Sequence, residues 1–273
     1  MTVAPLPRTV FITGASSGLG RGLALHYAAG GATVHAVARR SGELEALRRE
    51  AEAKGGGRVV PAVLDVVDAD ALAGAIARAE RSAGGALDLV IANAGVGLPT
   101  PGRAIDRAAV KRVLDVNVSA ACVTIAAALP AMVSRGAGTI AAMSSLAAYR
   151  GLPGTAAYCA SKAALATFME SLRVDLRGTG VRAVTIHPGF VKTEMTSRNP
   201  FPMPFLMDLD EAVALMARRI ARGDATIAFP WPMHAIIRVV GALPRAVYEP
   251  LAGLLGGQSA RRRVRPAYTP PGS

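Results

Sequence analysis

The sequence predicts an α/β fold, a parallel sheet doubly wound by helices on both faces, and three observations predict it. Short apolar runs alternate with longer helical segments from residue 9 to residue 229. Alternation of that kind builds parallel strands joined by crossover helices. The first apolar run, residues 9–12, passes through the glycine-rich turn Thr13-Gly14-Ala15-Ser16-Ser17-Gly18-Leu19-Gly20 into a helical stretch, residues 21–29. Finally, the polar residues with useful chemistry fall at the carboxyl ends of the predicted strands, where open sheets of this class bind ligands. No linker or shift of composition divides the chain before about residue 195, and no internal repeat is present, so one domain is expected.

Taken in order, the first strand and its turn form a phosphate cradle. Glycines at G-x-x-x-G-x-G spacing let the backbone come close to a pyrophosphate, and the following helix offers free N–H groups and a positive dipole end. Gly14, Ser16, Ser17, Gly18 and Leu19 are the candidate binding residues. The second strand, residues 33–38, ends without the acid that would hold ribose hydroxyls; Arg39 and Arg40 follow instead. A guanidinium matches a phosphate in geometry and charge, so NADP(H) is expected over NAD(H), with Arg39 on the 2′-phosphate and Ser16 or Ser17 assisting.

A helix over residues 43–54 stops at Gly55-Gly56-Gly57. The third strand, residues 58–64, closes on Asp65-Val66, where the carboxylate could accept from an adenine amino group. A helix over 70–82 precedes a strand over 87–91, which ends in Asn93-Ala94-Gly95, small residues that leave room for a ribose. The next helix, 106–135, holds Asn117 in its middle. Asn is a poor helix-interior residue, so a bend or a bound water is expected there. A fifth strand, 139–143, ends in Ser144-Ser145, and a sixth, 181–186, leads into His187-Pro188-Gly189-Phe190-Val191-Lys192-Thr193. Between them lies a helix to about residue 177 that begins near Tyr158-Cys159-Ala160-Ser161-Lys162. Tyr158 and Lys162 share a helix face. A nearby ammonium favours the phenolate and lowers the pKa of a tyrosine from about 10, toward the range where general acid–base catalysis is efficient.

With these pieces in hand, the chain resembles the short-chain dehydrogenases/reductases, in their short single-domain subclass. The matching residues are Thr13-Gly14, Gly18 and Gly20; Asp65; Asn93-Ala94-Gly95; Asn117; Ser145; Tyr158 with Lys162; and Pro188-Gly189, Val191 and Thr193, in order and at the right spacing over residues 9 to about 195. The resemblance implies a Rossmann-type fold and hydride transfer between a nicotinamide cofactor and a ketone or secondary alcohol. It implies Tyr158 as general acid or base, Lys162 lowering its pKa and holding the nicotinamide ribose, Ser145 on the substrate oxygen, and Asn117 holding a relay water. Pro188, Gly189, Val191 and Thr193 would line the nicotinamide. The glycine spacing argues against the extended subclass.

Composition narrows the alternatives. The net charge is +12, but the arginines are not interleaved with base-stacking aromatics, which make up 4% of the chain, so no nucleic-acid partner is expected. Four histidines show no metal-ligand spacing, and no metal is expected. Cys122 and Cys159 lie in helical stretches, and residues 1–8 lack the regions of a secretory signal, so a reducing, cytoplasmic location is expected. Residues 116–133 are nearly free of charge but carry Asn117 and Pro130, and are read as a buried or dimer-interface helix.

Residues 194–209, rich in Met, Phe and Pro, are read as a lid that either favours a hydrophobic substrate or packs on the domain's own core. An amphipathic helix, 208–222, and a last strand, 225–229, complete the domain, residues 1–229. Residues 230–258 are expected as an apolar helical extension, in one or two helices, that covers the pocket, meets a membrane or makes a subunit contact. Residues 259–273 are expected as a disordered basic tail. The extension departs from the short members of the family and puts their tetramer in doubt, so a homodimer through the Asn117 and Tyr158 helices is expected. Two other readings stand beside the soluble enzyme: a membrane-surface reductase of lipid-like ketones, and a non-catalytic NADP-binding regulator.

Overall fold

The computed structural model describes residues 6–197 and 202–260. Seven strands form one parallel sheet in the order β3-β2-β1-β4-β5-β6-β7. They are β1 (Thr9–Thr13), β2 (Thr33–Ala38), β3 (Arg58–Val63), β4 (Leu89–Ala92), β5 (Gly138–Met143), β6 (Val181–Pro188) and β7 (Thr226–Phe229). Every ladder is parallel, with Thr13 opposite Val37 at the end of β1 and β2. The order reverses between β1 and β4, which opens a crevice at the carboxyl edge of the sheet.

The helices are α1 (Gly18–Ala29), α2 (Ser41–Lys54), α3 (Ala69–Ala83), α4 (Arg107–Leu114), α5 (Ala120–Arg135), α6 (Ala156–Asp175), α7 (Glu194–Ser197), α8 (Leu209–Arg222), α9 (Trp231–Ala242) and α10 (Arg245–Ala260). They cover both faces of the sheet. On one face Leu23 and Tyr27 of α1, Leu44 and Leu47 of α2, and Val213 and Met216 of α8 pack on Val10, Ile12 and Val34. On the other, Leu72 and Ile76 of α3, Ile125 and Met132 of α5, and Leu165 and Met169 of α6 pack on Phe11, Val90 and Ile140. β-Strands buried on both sides must be apolar at nearly every position, which is why β4 is Leu-Val-Ile-Ala without alternation. Each fully buried Leu, Ile or Phe contributes roughly 1.5–3 kcal/mol.

Local signals set the helix ends. Asp68 caps α3 by accepting from the Ala71 N–H, and Gly84 ends it in the left-handed conformation. Asp106 caps α4 in the same way through the Ala108 N–H. The interruption expected at Asn117 takes the form of one π-helical turn, Asp115–Ser119, joining α4 to α5. The combined helix, Arg107–Arg135, is long and apolar enough to cross a membrane. Here it lies on the sheet, with Val116, Ala120, Ala121, Ile125, Ala128 and Met132 buried.

The lid segment is described over residues 194–197, as α7, and from Pro202 onward; residues 198–201 of it lie outside the described residues. Its end pairs with the domain: Val191 and Met207 form a parallel bridge. The apolar extension forms two helices, α9 and α10. The second runs to Ala260, two residues into the stretch expected to be disordered; the rest of that tail lies outside the described residues.

Candidate active site

The carboxyl ends of β4 and β5, the π turn and the start of α6 bring Asn117, Ser145, Tyr158 and Lys162 together. Lys162 is 3% exposed. Its Nζ donates to the Met143 carbonyl at 2.7 Å and lies 5.7 Å from the centre of the Tyr158 ring. Ser144 holds the same turn of α6 by donating to the Lys162 carbonyl at 2.8 Å. Asn117, fully buried, accepts from the Val96 N–H at 2.8 Å and donates to the Val96 carbonyl and to Ser161 Oγ, each at 3.0 Å. It therefore pins the Gly95–Gly97 loop to α6. The π turn is what aims its side chain across, consistent with such turns recurring at functional sites.

Gly95 was expected to make room for a ribose. A Cβ there would stand 3.3 Å from Lys162 Nζ and 3.4 Å from Asn117 Oδ1, so the bare backbone lets the loop come close to both side chains. Asn93 likewise faces the protein. Its amide donates to the carbonyls of Thr13 and Gly14 at 2.9 and 3.2 Å, while Thr13 Oγ1 accepts from the Asn93 and Ala94 N–H groups. These contacts tie the glycine turn to β4.

The electrostatics correct one expectation. The phenol is not pulled down by its lysine. Loss of water pushes Tyr158 above its ordinary value, with a hydrogen bond from Ser145 pulling the other way. Burial also pulls Lys162 down to about 8. Desolvation penalises the charged form of each group, and with the ammonium seated on Met143 it outweighs their mutual attraction. The Lys162 shift has a measurable sign. Below pH ~8 the lysine is protonated in both folded and unfolded chains, and burial of the charge opposes folding. Between pH ~8 and ~10.5 the folded state releases its proton first, so the stability of wild type relative to Lys162→Met should rise by up to about 3 kcal/mol. Urea unfolding of both proteins across that window checks it; a flat difference would overturn the assignment.

Ser145 accepts from the Ala147 N–H at 3.1 Å and reaches the Pro188 carbonyl at 3.4 Å. Its own carbonyl lies 3.1 Å from His187 Nδ1. A carbonyl can only accept, so Nδ1 carries the proton, and burial holds the ring below its usual pKa. His187 thus fixes the backbone that carries Ser145, a role that histidine spacing alone did not signal.

At the other end of the crevice, α1 begins at Ser17 without a side-chain cap. Its first N–H groups, those of Gly18 and Leu19, face the turn as donors for an anion. Gly18 adopts φ +54°, and a Cβ there would meet the Thr193 side chain at 3.3 Å. Thr193 also caps α7, accepting from Thr196 N–H at 3.4 Å. Val191 is buried, and the pairing of Lys192 N–H with the Met207 carbonyl leaves Val191's own N–H out of that ladder. Gly189 donates to the Phe229 carbonyl at 2.7 Å and lies under Met233 of α9.

The two arginines after β2 divide differently from expectation. Arg39, expected on a 2′-phosphate with Ser16 or Ser17 assisting, turns toward Asp65, with Nη1 3.8 Å from its carboxylate and the side chain 62% exposed. Arg40 instead meets the serine: its Nε and Nη2 donate to Ser16 Oγ at 3.2 and 3.1 Å, and its Nη1 pairs with Glu194 at 3.1 Å. The reason is local, since Arg40 precedes α2 in extended backbone on the glycine-turn side. Asp65 also carries an ion pair unseen in sequence, with Arg112 of α4 at 3.1 Å, and accepts from the Val67 N–H at 3.2 Å. Val66 beside it is buried.

An uncapped helix start, a glycine turn, a guanidinium on a serine and a phenol–hydroxyl–ammonium group share one edge, a set that fits an anionic dinucleotide at one end and a proton transfer at the other. The model of a family described as short chain dehydrogenase matches residues 8–201. The chain is 53% identical over 245 residues to an uncharacterized oxidoreductase of Myxococcus xanthus, covering 90% of this chain and 96% of that one. It is 37% identical over 189 residues to a sulfoacetaldehyde reductase of Chromohalobacter salexigens, covering 68% and 74%. Among solved structures, a short chain dehydrogenase of Mycobacterium paratuberculosis bound to NAD superposes with a TM-score of 0.75 at 26% identity, covering 84% and 98%.

Proposed function

The chain belongs to the short-chain dehydrogenase family, and from that premise we propose that it is an NADP(H)-dependent oxidoreductase that interconverts a hydrophobic ketone and its secondary alcohol, with Tyr158 as the acid–base group. The observation that carries this reading is the convergence of Ser145, Tyr158, Lys162 and Asn117 in one partly desolvated cluster beside the glycine turn. The cofactor would supply the hydride. The Gly14–Leu19 turn and the start of α1 would hold its pyrophosphate, and Arg40 with Ser16, joined by Arg39, the 2′-phosphate. Asp65 and Val66 would lie by the adenine. Lys162, Pro188, Gly189, Val191 and Thr193 would border the nicotinamide.

The protein's own part is the proton. Charge that develops on a carbonyl oxygen is met by positioned O–H donors. Tyr158, held neutral by its surroundings, is the form that can give a proton; Ser145, hydrogen-bonded to it, is the second donor. Asn117 and Ser161 connect the lysine's helix to the Val96 loop and keep that geometry. A relative named for reducing an aldehyde, sulfoacetaldehyde reductase, supports carbonyl reduction as the direction. Met195, Phe205 and Leu206, all exposed around the lid, support an apolar substrate. Free Cys122 and Cys159 support a reducing compartment. The homodimer reading, through α5 and α6, is checked by the mass in light scattering.

The test is NADPH oxidation across ketones graded by size and polarity, with NADH in parallel. Loss of a charge-assisted hydrogen bond costs about 2 kcal/mol, so Arg40→Ala should raise KM for NADPH about thirtyfold and leave KM for NADH nearly unchanged. Arg39→Ala should have the smaller effect. Equal preference for NADH in wild type would overturn the cofactor assignment without touching the acid–base one.

A further inference from the structure

α9 is mostly apolar, and the fold uses one side of it. The inward side carries Met233, His234, Ile237, Val240 and Gly241, all partly covered. Met233 lies against Gly189, and Arg150 donates to the Gly241 carbonyl at 3.2 Å. The outward side carries Trp231, Ile236 and Val239, exposed by 78%, 54% and 67%, and no residue of the helix is fully buried. α10 adds Val247, Leu251 and Leu254, the last 73% exposed. A large exposed apolar surface marks a binding face.

We propose that the outward face of α9, with α10, docks the protein on the surface of an anionic lipid bilayer. Charge selects this occupant. Arg238 and Arg245 flank the apolar residues, Glu249 is the one acid between residues 231 and 260, and Arg261, Arg262, Arg263 and Arg265 follow in the chain. An apolar helix face edged by cations is drawn to anionic headgroups, with an aromatic ring seated at the boundary. A second copy of the chain would bring like arginines together across a twofold axis, with one acid per copy to pair them. The docked helices also brace the loop before Tyr158: Tyr248 donates to the Gly151 carbonyl at 2.5 Å, and the Arg150 guanidinium lies 4.2 Å over the Tyr248 ring. Docking would therefore place the mouth of the catalytic crevice beside the bilayer. The inference stands independently of the proposed activity.

Trp231 is the only tryptophan, so its fluorescence reports this face directly. The full chain is mixed with vesicles of phosphatidylcholine alone and of phosphatidylcholine with phosphatidylglycerol. The expected result is a blue shift of Trp231 emission and co-sedimentation with the anionic vesicles, both weakened by salt. Val239→Glu should lower partitioning about tenfold or more, and Arg238→Ala with Arg245→Ala should lower it less and reduce its salt dependence. Thermal melts confirm that the variants remain folded, and their turnover on a soluble ketone should match wild type. The proposal is overturned by absence of vesicle binding, by equal binding of Val239→Glu, or by a Trp231 already blue-shifted without lipid together with a dimer that Val239→Glu dissociates. That last outcome would make the face a contact between copies.

Discussion

Tyr158→Phe is expected to lower kcat by about a thousandfold, within the range that a positioned acid–base group supplies, while leaving the melting temperature and the KM for NADPH close to wild type. The phenyl ring would still fill the place of the tyrosine ring near Gly97, where a Cβ would stand 3.8 Å from it, so packing is kept and only the hydroxyl with its proton is lost. Ser145→Ala should cost less, because it removes one of two donors and leaves the proton source. Single-turnover measurements with saturating NADPH separate the chemical step from binding. A Tyr158→Phe enzyme with more than a tenth of wild-type turnover would remove the tyrosine from the reaction and leave the cluster a structural one.

The second large effect is on folding and the cradle together. At Gly20 an added Cβ would stand 2.4 Å from both Asn93 Nδ2 and the Gly14 carbonyl oxygen. Neither atom can move cheaply. The carbonyl belongs to the turn, and the Asn93 amide is already donating to Thr13 and Gly14. Gly20→Ala is therefore expected to destabilise the protein by about 3 kcal/mol, as overpacking does, and to lower the melting temperature by about 10 °C. Because α1 would shift against the turn, affinity for NADPH should fall as well, read as loss of its stabilising effect on the melt. Gly42→Ala, where nothing lies within 4 Å of the added Cβ, is the control and should be nearly neutral. If Gly20→Ala melts with the control, the close approach of α1 to β4 is not what sets the turn.

Much of the architecture was legible because it rests on local signals. Apolar strands such as the one read over residues 87–91 and the helix stop at Gly55 are each written within a few residues. The grouping of Asn117, Ser145, Tyr158 and Lys162 was expected from the family resemblance, and the structure brings them together from the end of β5, the π turn and the start of α6. Partners of long, charged side chains were not. Arg39 and Arg40 are adjacent, and sequence favoured the first for the phosphate side. Only the packing of α2, α4 and the glycine turn sends Arg39 to Asp65 and Arg40 to Ser16. The ties that Asn93 makes to Thr13 and Gly14, and the approach of Lys162 to Gly95, likewise join residues far apart in the chain.

By itself, then, the sequence determined the strand–helix order, the glycine turn and the set of candidate site residues, because periodicity, turn chemistry and residue type are local properties. Tertiary structure alone decided the direction of the Tyr158 shift, which of the two arginines meets Ser16 and the bare outer face of α9. Each depends on which surfaces lose water and which long side chains meet, and desolvation and ion pairing are properties of the packed molecule.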